Sequence, residues 1–350
     1  MKTLNLFAGY HFPMSVYRKT FEAGGITQLS LDFSSTCNYR CDWCFNGSDL
    51  NNDGDDILTL SERVLLLEDA RALGARTLVV PGTGEPTLDP YFRETIEAAH
   101  ERGLISVVYT NLTGRVDENL LAWMRDHGVS LGVKLDSFKE EHFLERYHTT
   151  KKQYGRFISN LKSAIQVYRN TAVKLGENKV AHRIIANSVL TRENMDELPA
   201  IAQYCEEVNL PLFVRPVKAV DWAKEQPSLW KLLGNRDGGQ NPEKELTELA
   251  NEHNTLFSPS STEENHCAIF SFGLTVKNNG DVQLCPDHHA SRGEFNVRKN
   301  SLSEIVGSMN ARRKIESGYC IMLDQTHAPP INPSPRLFPV KVSVQKVAEE

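Results

Sequence analysis

Between residues 26 and 216 short apolar runs alternate with amphipathic stretches, and this alternation constrains the fold more than any other feature. The runs are ITQLSLDFS (26–34), RTLVVP (76–81), ISVVYT (105–110), SLGVKL (130–135), HRIIANSVL (182–190) and LPLFVRP (210–216). They are short, apolar and rich in β-branched residues, as strands covered on both faces are. Helices are expected between them over 59–74, about 90–100, 117–128, a long stretch at 139–170, and 194–208. The first opens on a Thr59/Glu62 capping box and can close at Gly74. Six strands alternating with helices predict a parallel α/β sheet. Six fall short of the eight that close a barrel, so a partial (β/α)6 TIM-like barrel is expected.

The pattern sets the domain expectations. Residues 1–24 read as an N-terminal extension, 25–220 as the partial barrel and 221–262 as a linker rich in turn and charged residues. Residues 263–325 read as a small C-terminal α+β domain, because two alternating runs flank the turn signal KNNGD. Residues 326–350 form a proline-rich tail.

In parallel α/β folds the chemistry lies at the C-terminal ends of the strands. The conspicuous residues fall there. Cys37, Cys41 and Cys44 follow the first strand and GTGEP (82–86) follows the second. Asn111 follows the third, Asp136 and Ser137 the fourth, while Asn187 and Arg215 lie late in the fifth and sixth.

Three cysteines within eight positions point to one shared object: a disulfide tangle, a zinc ion or an iron–sulfur cluster. Seven cysteines in 350 residues, an odd count, do not make a disulfide scaffold. A closed zinc site wants four protein ligands. A three-cysteine set instead leaves one iron of a cubane open to another ligand. A net charge of −6 gives no nucleic-acid footprint. The sequence has no apolar run long enough to span a membrane and no signal-peptide pattern at its start, so a reducing cytoplasmic location is expected.

CNYRCDWCF resembles the CxxxCxφC motif of the radical S-adenosylmethionine (SAM) superfamily, with Trp43 as the aromatic φ. GTGEP resembles that family's GGEP motif, with Thr83 in place of a glycine. The resemblance covers about 25–220. It implies a [4Fe–4S] cluster on Cys37, Cys41 and Cys44 whose unique iron is chelated by SAM. It implies that the Gly82–Thr83–Gly84–Glu85 loop binds SAM, its Gly84–Glu85 segment holding the amino group, and that either Asn111 or Asp136 reaches the ribose or methionine part. Arg183 or Arg215 would pair with the SAM carboxylate through the guanidinium fork.

Cys267, Gly280 and Cys285 resemble the opening of the SPASM and twitch domains, and FNVRKNSLSEIVGS resembles the stretch that follows it there. The resemblance implies an auxiliary iron–sulfur cluster on Cys267, Cys285 and Cys320, with Asp287, His288 or His289 as a further ligand. A full SPASM domain has more cysteines than this chain retains. Loss of the cluster, leaving packed thiols, is the alternative. Cys320 has a second candidate role as a hydrogen donor to a substrate radical. Cys205 reads as a core residue of its helix.

The activity implied is reductive SAM cleavage to a 5′-deoxyadenosyl radical that abstracts hydrogen from substrate, fed by flavodoxin or ferredoxin. A small polar metabolite (sugar, aminocyclitol or nucleoside) undergoing dehydrogenation or epimerisation is favoured over a peptide, because only 25 residues precede the first strand. A peptide-modifying maturase is the alternative, and a non-catalytic iron–sulfur module the alternative of another class. No nucleic-acid or membrane partner is expected.

Overall fold

The structure is a computed structural model, and the residues described are 4–53, 56–191, 193–217, 256–257, 273–283 and 294–315. The expected six strands form as β2 (Gln28–Leu31), β3 (Thr77–Val80), β4 (Ile105–Thr110), β5 (Ser130–Lys134), β8 (Ile184–Leu190) and β9 (Leu212–Pro216). All pair in parallel in the order 9-8-5-4-3-2. Two further parallel strands extend this sheet. β10 (Leu256–Phe257) pairs with β9, and β11 (Gly273–Val276) pairs with β2, Leu274 opposite Leu29. β12 (Val282–Gln283) turns back antiparallel on β11 through KNNGD. β10 thus falls inside the expected linker, and the C-terminal hairpin is built onto the barrel sheet.

The helices cover the outer face. α2 (Leu60–Ala72) starts at Thr59, whose hydroxyl accepts from the Glu62 N–H while the Glu62 carboxylate accepts from the Thr59 N–H. Gly74 follows it at φ +94. α3 (Phe92–Glu101), α4 (Glu118–Asp126) and α7 (Leu198–Glu207) fill three of the other expected places. The long helix expected over 139–170 is two: α5 (Glu140–Tyr147) and α6 (Lys151–Val167). His148 ends α5 in the left-handed region at φ 46, and the Thr150 hydroxyl accepts from the Gln153 N–H to start α6. Helical periodicity runs through this break because the new helix buries the same kind of face. α8 (Leu302–Ile315) packs against α2, and its Asn310 donates to the Gly25 carbonyl.

Residues 4–22, expected as a plain extension, hold β1 (Leu4–Phe7) and α1 (Met14–Glu22). β1 pairs in parallel with β7 (Lys179–His182), which forms a hairpin with β6 (Val173–Gly176). The chain after β1 enters the hollow of the main sheet. There Phe7 and Tyr10 share a buried cluster with Val79, Val107, Ile185 and Phe213. Residues of β3 and β9 meet in one cluster although three strands separate them, so the sheet is curled around this N-terminal plug. Thr77 and Gln28 donate to the carbonyls of Gly9 and Tyr10. Gly9 takes φ +80, and a Cβ there would stand 2.5 Å from Ile105 Cγ2, so only glycine fits this approach.

Candidate active site

Above the plug, at the C-terminal ends of the strands, lies a cavity of about 230 Å³. Period-two alternation sends Val79, Tyr109, Gly132 and Lys134, Asn187 and Val189, and Arg215 into it from β3, β4, β5, β8 and β9. Cys37, Cys41 and Cys44 line the other wall, together with Tyr39, Trp43 and the loop Gly82–Glu85. Sequence segments as far apart as Cys37 and Arg215, 178 positions, therefore meet in one place.

The two motif loops are fitted to each other. A Cβ on Gly84 would stand 2.5 Å from the Thr36 carbonyl oxygen, and the Glu85 N–H donates to that same oxygen at 2.9 Å. Asn46 donates to the Thr83 carbonyl at 3.1 Å. Asn111 completes the contact, its amide donating to Asn38 between the cysteines at 3.0 Å. In the turn after Asn111, buried Leu112 takes φ 61, a strained conformation for a non-glycine residue.

Glu85 is wholly engaged. Its carboxylate accepts from the Thr87 N–H and hydroxyl, the Thr110 hydroxyl at 2.7 Å and the Asn111 N–H at 2.8 Å. Burial pushes its pKa up even so. Four donors make it a clamp between the loops after β3 and β4.

Asp136 stands behind the cavity wall, not among its lining. Its carboxylate accepts from the Val189 N–H and the Tyr147 hydroxyl and lies 3.6 Å from the Lys134 ammonium. This residue, expected to reach SAM, is thus engaged with Val189, Tyr147 and Lys134. Arg183 departs further. Its guanidinium donates to the carbonyls of Arg125 and Val129 at 2.7 and 2.9 Å, at the N-terminal rim opposite the cavity. The correction follows from strand limits: Arg183 precedes β8, where its partners are the end of α4 and the start of β5. Arg215 does face the cavity, with Nη2 3.4 Å from the Tyr10 hydroxyl. Cys205 is fully buried on α7 in the outer core, as expected. Cys267, Cys285, Cys320, Asp287, His288 and His289 lie outside the described residues.

Sequence reasoning missed Lys134, Tyr109 and Tyr39. The Lys134 ammonium sits 5.3 Å over the Trp43 ring. Burial opposes its charge, yet Asp136 and the Cys41 and Cys44 thiols hold its pKa above the ordinary lysine value. A lysine inside the apolar run SLGVKL was the available signal, since a buried charge needs partners.

The donor set fits an iron–sulfur cubane. None of the three thiols is in a disulfide. Among the described residues no three His, Cys, Asp or Glu side chains are spaced for a single metal ion. Burial, then mutual repulsion, pushes the Cys37 thiol up to about 12, and burial does the same for Cys41. Protons must therefore leave when metal binds. The cavity also holds buried polar atoms with no protein partner: Trp43 Nε1, Tyr109 Oη and Asn187 Oδ1. They are ready for a polar ligand.

The sequence pattern of the Radical SAM superfamily matches residues 31–205, half of the chain. The chain belongs to the Radical SAM superfamily. Over 179 residues it is 28% identical to a tungsten-containing aldehyde ferredoxin oxidoreductase cofactor-modifying protein of Pyrococcus furiosus, covering 50% of this chain and 47% of that protein. Over 177 residues it is 24% identical to the Fe-coproporphyrin III synthase of Methanosarcina barkeri, covering 50% and 40%. The chain thus spans less than half the length of these curated relatives. SuiB of Streptococcus suis, solved with S-adenosylmethionine, superposes with a TM-score of 0.62 at 15% identity over 84% of this chain and 68% of that one. That likeness concerns the fold. Membership of this family implies a [4Fe–4S] cluster and SAM.

Proposed function

We propose that this radical SAM enzyme removes hydrogen from a small polar metabolite of the sugar, aminocyclitol or nucleoside type, giving dehydrogenation or epimerisation. The observation that carries the reading is one cavity that joins three cysteine thiols and the GTGEP loop to a floor of polar side chains. Cys37, Cys41 and Cys44 would hold the cluster, and the Gly82–Glu85 loop and Asn111 would cradle SAM. When bound, cluster and SAM supply one-electron cleavage chemistry strong enough to break an unactivated C–H bond.

The chain's own side chains do the rest. Glu85 fixes the loop, Asp136 fixes Lys134, and the Lys134 ammonium offsets negative charge beside Cys41 and Cys44. Tyr109, Asn187 and Arg215 present a hydroxyl, an amide oxygen and a guanidinium to the bound molecules. The plug of Phe7 and Tyr10 closes the hollow beneath them and excludes water from that side. Cys267, Cys285 and Cys320 are the proposed ligands of an auxiliary cluster that would take the second electron in a dehydrogenation. If that cluster is lost, Cys320 is the proposed hydrogen donor for epimerisation. The first electron would come from flavodoxin or ferredoxin in the cytoplasm.

The test is anaerobic turnover with deuterated candidates, reading deuterium in 5′-deoxyadenosine by mass spectrometry. Transfer from a small metabolite is expected. Transfer only from a peptide substrate would overturn the substrate class.

A further inference from the structure

The end of α5 stands against the cysteine loop, and the residues on either side of Cys41 are held by it. The Arg40 N–H donates to the Tyr147 carbonyl at 3.0 Å, and the Asp42 N–H donates to the Arg146 carbonyl at 3.2 Å. The Tyr147 ring meets both aromatic residues of the loop. It stacks on Tyr39 with centroids 5.1 Å apart and stands edge-on to Trp43 at 5.5 Å. His148 Nε2 lies 2.6 Å from the Asp42 carboxylate. Tyr39, Arg40, Asp42 and Trp43 thus all lean on two residues, Tyr147 and His148, or on the carbonyl just before them.

These carbonyls are available to the loop only because the helix stops. Were α5 and α6 one unbroken helix over 140–167, the Arg146 and Tyr147 carbonyls would accept from the N–H groups of Thr150 and Lys151, four positions on. Instead His148 turns left-handed, at φ 46 and ψ 55. The His148 and Thr149 N–H groups both return to the Leu144 carbonyl. The Arg146 and Tyr147 carbonyls are left among the orphans of a helix end, and the loop amides take them up. Histidine is one of the few residues other than glycine that enters this region readily.

We propose that the left-handed turn at His148 is a positioning device that shapes the cysteine loop before any cluster binds. The turn ends α5 where Arg40 and Asp42 need acceptors, and the imidazole steadies the Asp42 side chain from outside. His148 is therefore a positioning residue, acting on Cys41 through the two amides that flank it. The backbone bonds carry the larger share. The ring bond is the smaller one, because the His148 side chain is 56% exposed. Only the second of the two tests below rests on the cluster reading of the three cysteines.

The first test is hydrogen–deuterium exchange of the full chain without cluster, read on the segment that carries Arg40 and Asp42. His148→Val, whose β-branch resists the left-handed region, should speed exchange there about tenfold or more. His148→Gly keeps the turn and loses only the ring, so exchange should stay within about fivefold of the parent. His148→Ala, a milder block on the turn, should fall between them and serves if the valine variant does not fold. The second test is iron release to a chelator from anaerobically reconstituted protein, which should follow the same order. Arg183→Met, weakened at the far rim, should release iron as the parent does. Parental exchange in His148→Val and His148→Ala, or exchange in His148→Gly as fast as in these two, would overturn the proposal. Iron release from Arg183→Met as fast as from His148→Ala would reduce the effect to general instability and overturn it too. If exchange follows the expected order but the parent takes up no four-iron cluster, the cluster reading falls and the positioning of the loop stands.

Discussion

Arg63 and Asp89 meet fully buried, Nη1 to Oδ1 and Nη2 to Oδ2, both at 2.9 Å. The same carboxylate accepts the Ser34 N–H at 2.7 Å and the Tyr91 N–H at 2.8 Å. Ser34 is the last step before the cysteine loop, and Asp89 ends the turn after GTGEP. One buried pair, Arg63 on α2 with Asp89, thus ties the two motif loops to the scaffold.

Breaking such a pair leaves an uncompensated charge in the core. Arg63→Met and Asp89→Leu should each lower unfolding stability by about 3–5 kcal/mol, read from urea midpoints. The double variant should recover part of that loss, short of the parent, because the Ser34 and Tyr91 N–H groups stay unpaired.

Glu85 accepts from two backbone N–H groups, of Thr87 and Asn111, and from the hydroxyls of Thr87 and Thr110. Glu85→Gln would turn an amide N–H2 toward Thr87, Thr110 or Asn111 and leave a buried donor without an acceptor. A loss of roughly 1–3 kcal/mol in stability is expected, together with weaker SAM binding. A variant that weakened SAM while leaving the unfolding midpoint unchanged would instead make Glu85 a direct ligand.

The two arginines separate by position. Arg215→Met should weaken binding of SAM or substrate, since its guanidinium lines the cavity. Arg183→Met should leave SAM affinity unchanged and lower stability, because its bonds join α4 to β5 at the far rim. Equilibrium binding and urea unfolding of both variants check this.

His182 gives a pH dependence. Burial lowers its pKa from 6.5 to about 4, and its Nε2 lies 3.0 Å from Asn5 Oδ1, which suits a neutral ring donating an N–H. The unfolded chain then binds a proton between pH 6.5 and 4 that the folded chain refuses. This contribution to stability is complete above pH 6.5 and is lost as the pH falls toward 4. The unfolding midpoint should drop across that window, and less so in His182→Gln.

The six core strands, most helices and the meeting of Cys37, Cys41, Cys44 and GTGEP were legible in the sequence. Two-face burial writes continuous apolar runs, and loop chemistry marks strand ends. β1, β10 and β11 were not legible as parts of this sheet or its plug. β1 and β11 have four residues each and β10 has two, and their partners are far away in sequence. The break at His148 left no Gly or Pro behind, because histidine itself takes the left-handed turn. Arg183 and Arg215 look alike in the sequence, each beside or within an apolar run. Only their distance along the strand, read against the C-terminal rim, tells them apart.

The central claim is that Cys37, Cys41 and Cys44 hold the SAM-cleaving cluster. Its most direct test is the yield of 5′-deoxyadenosine from reduced, anaerobically reconstituted protein, measured beside iron content, in the parent and in the variant with all three replaced by Ala. The variant should lose about four irons per chain, the content of one cubane, and should form no 5′-deoxyadenosine. SAM cleavage that survives in the variant would contradict the account.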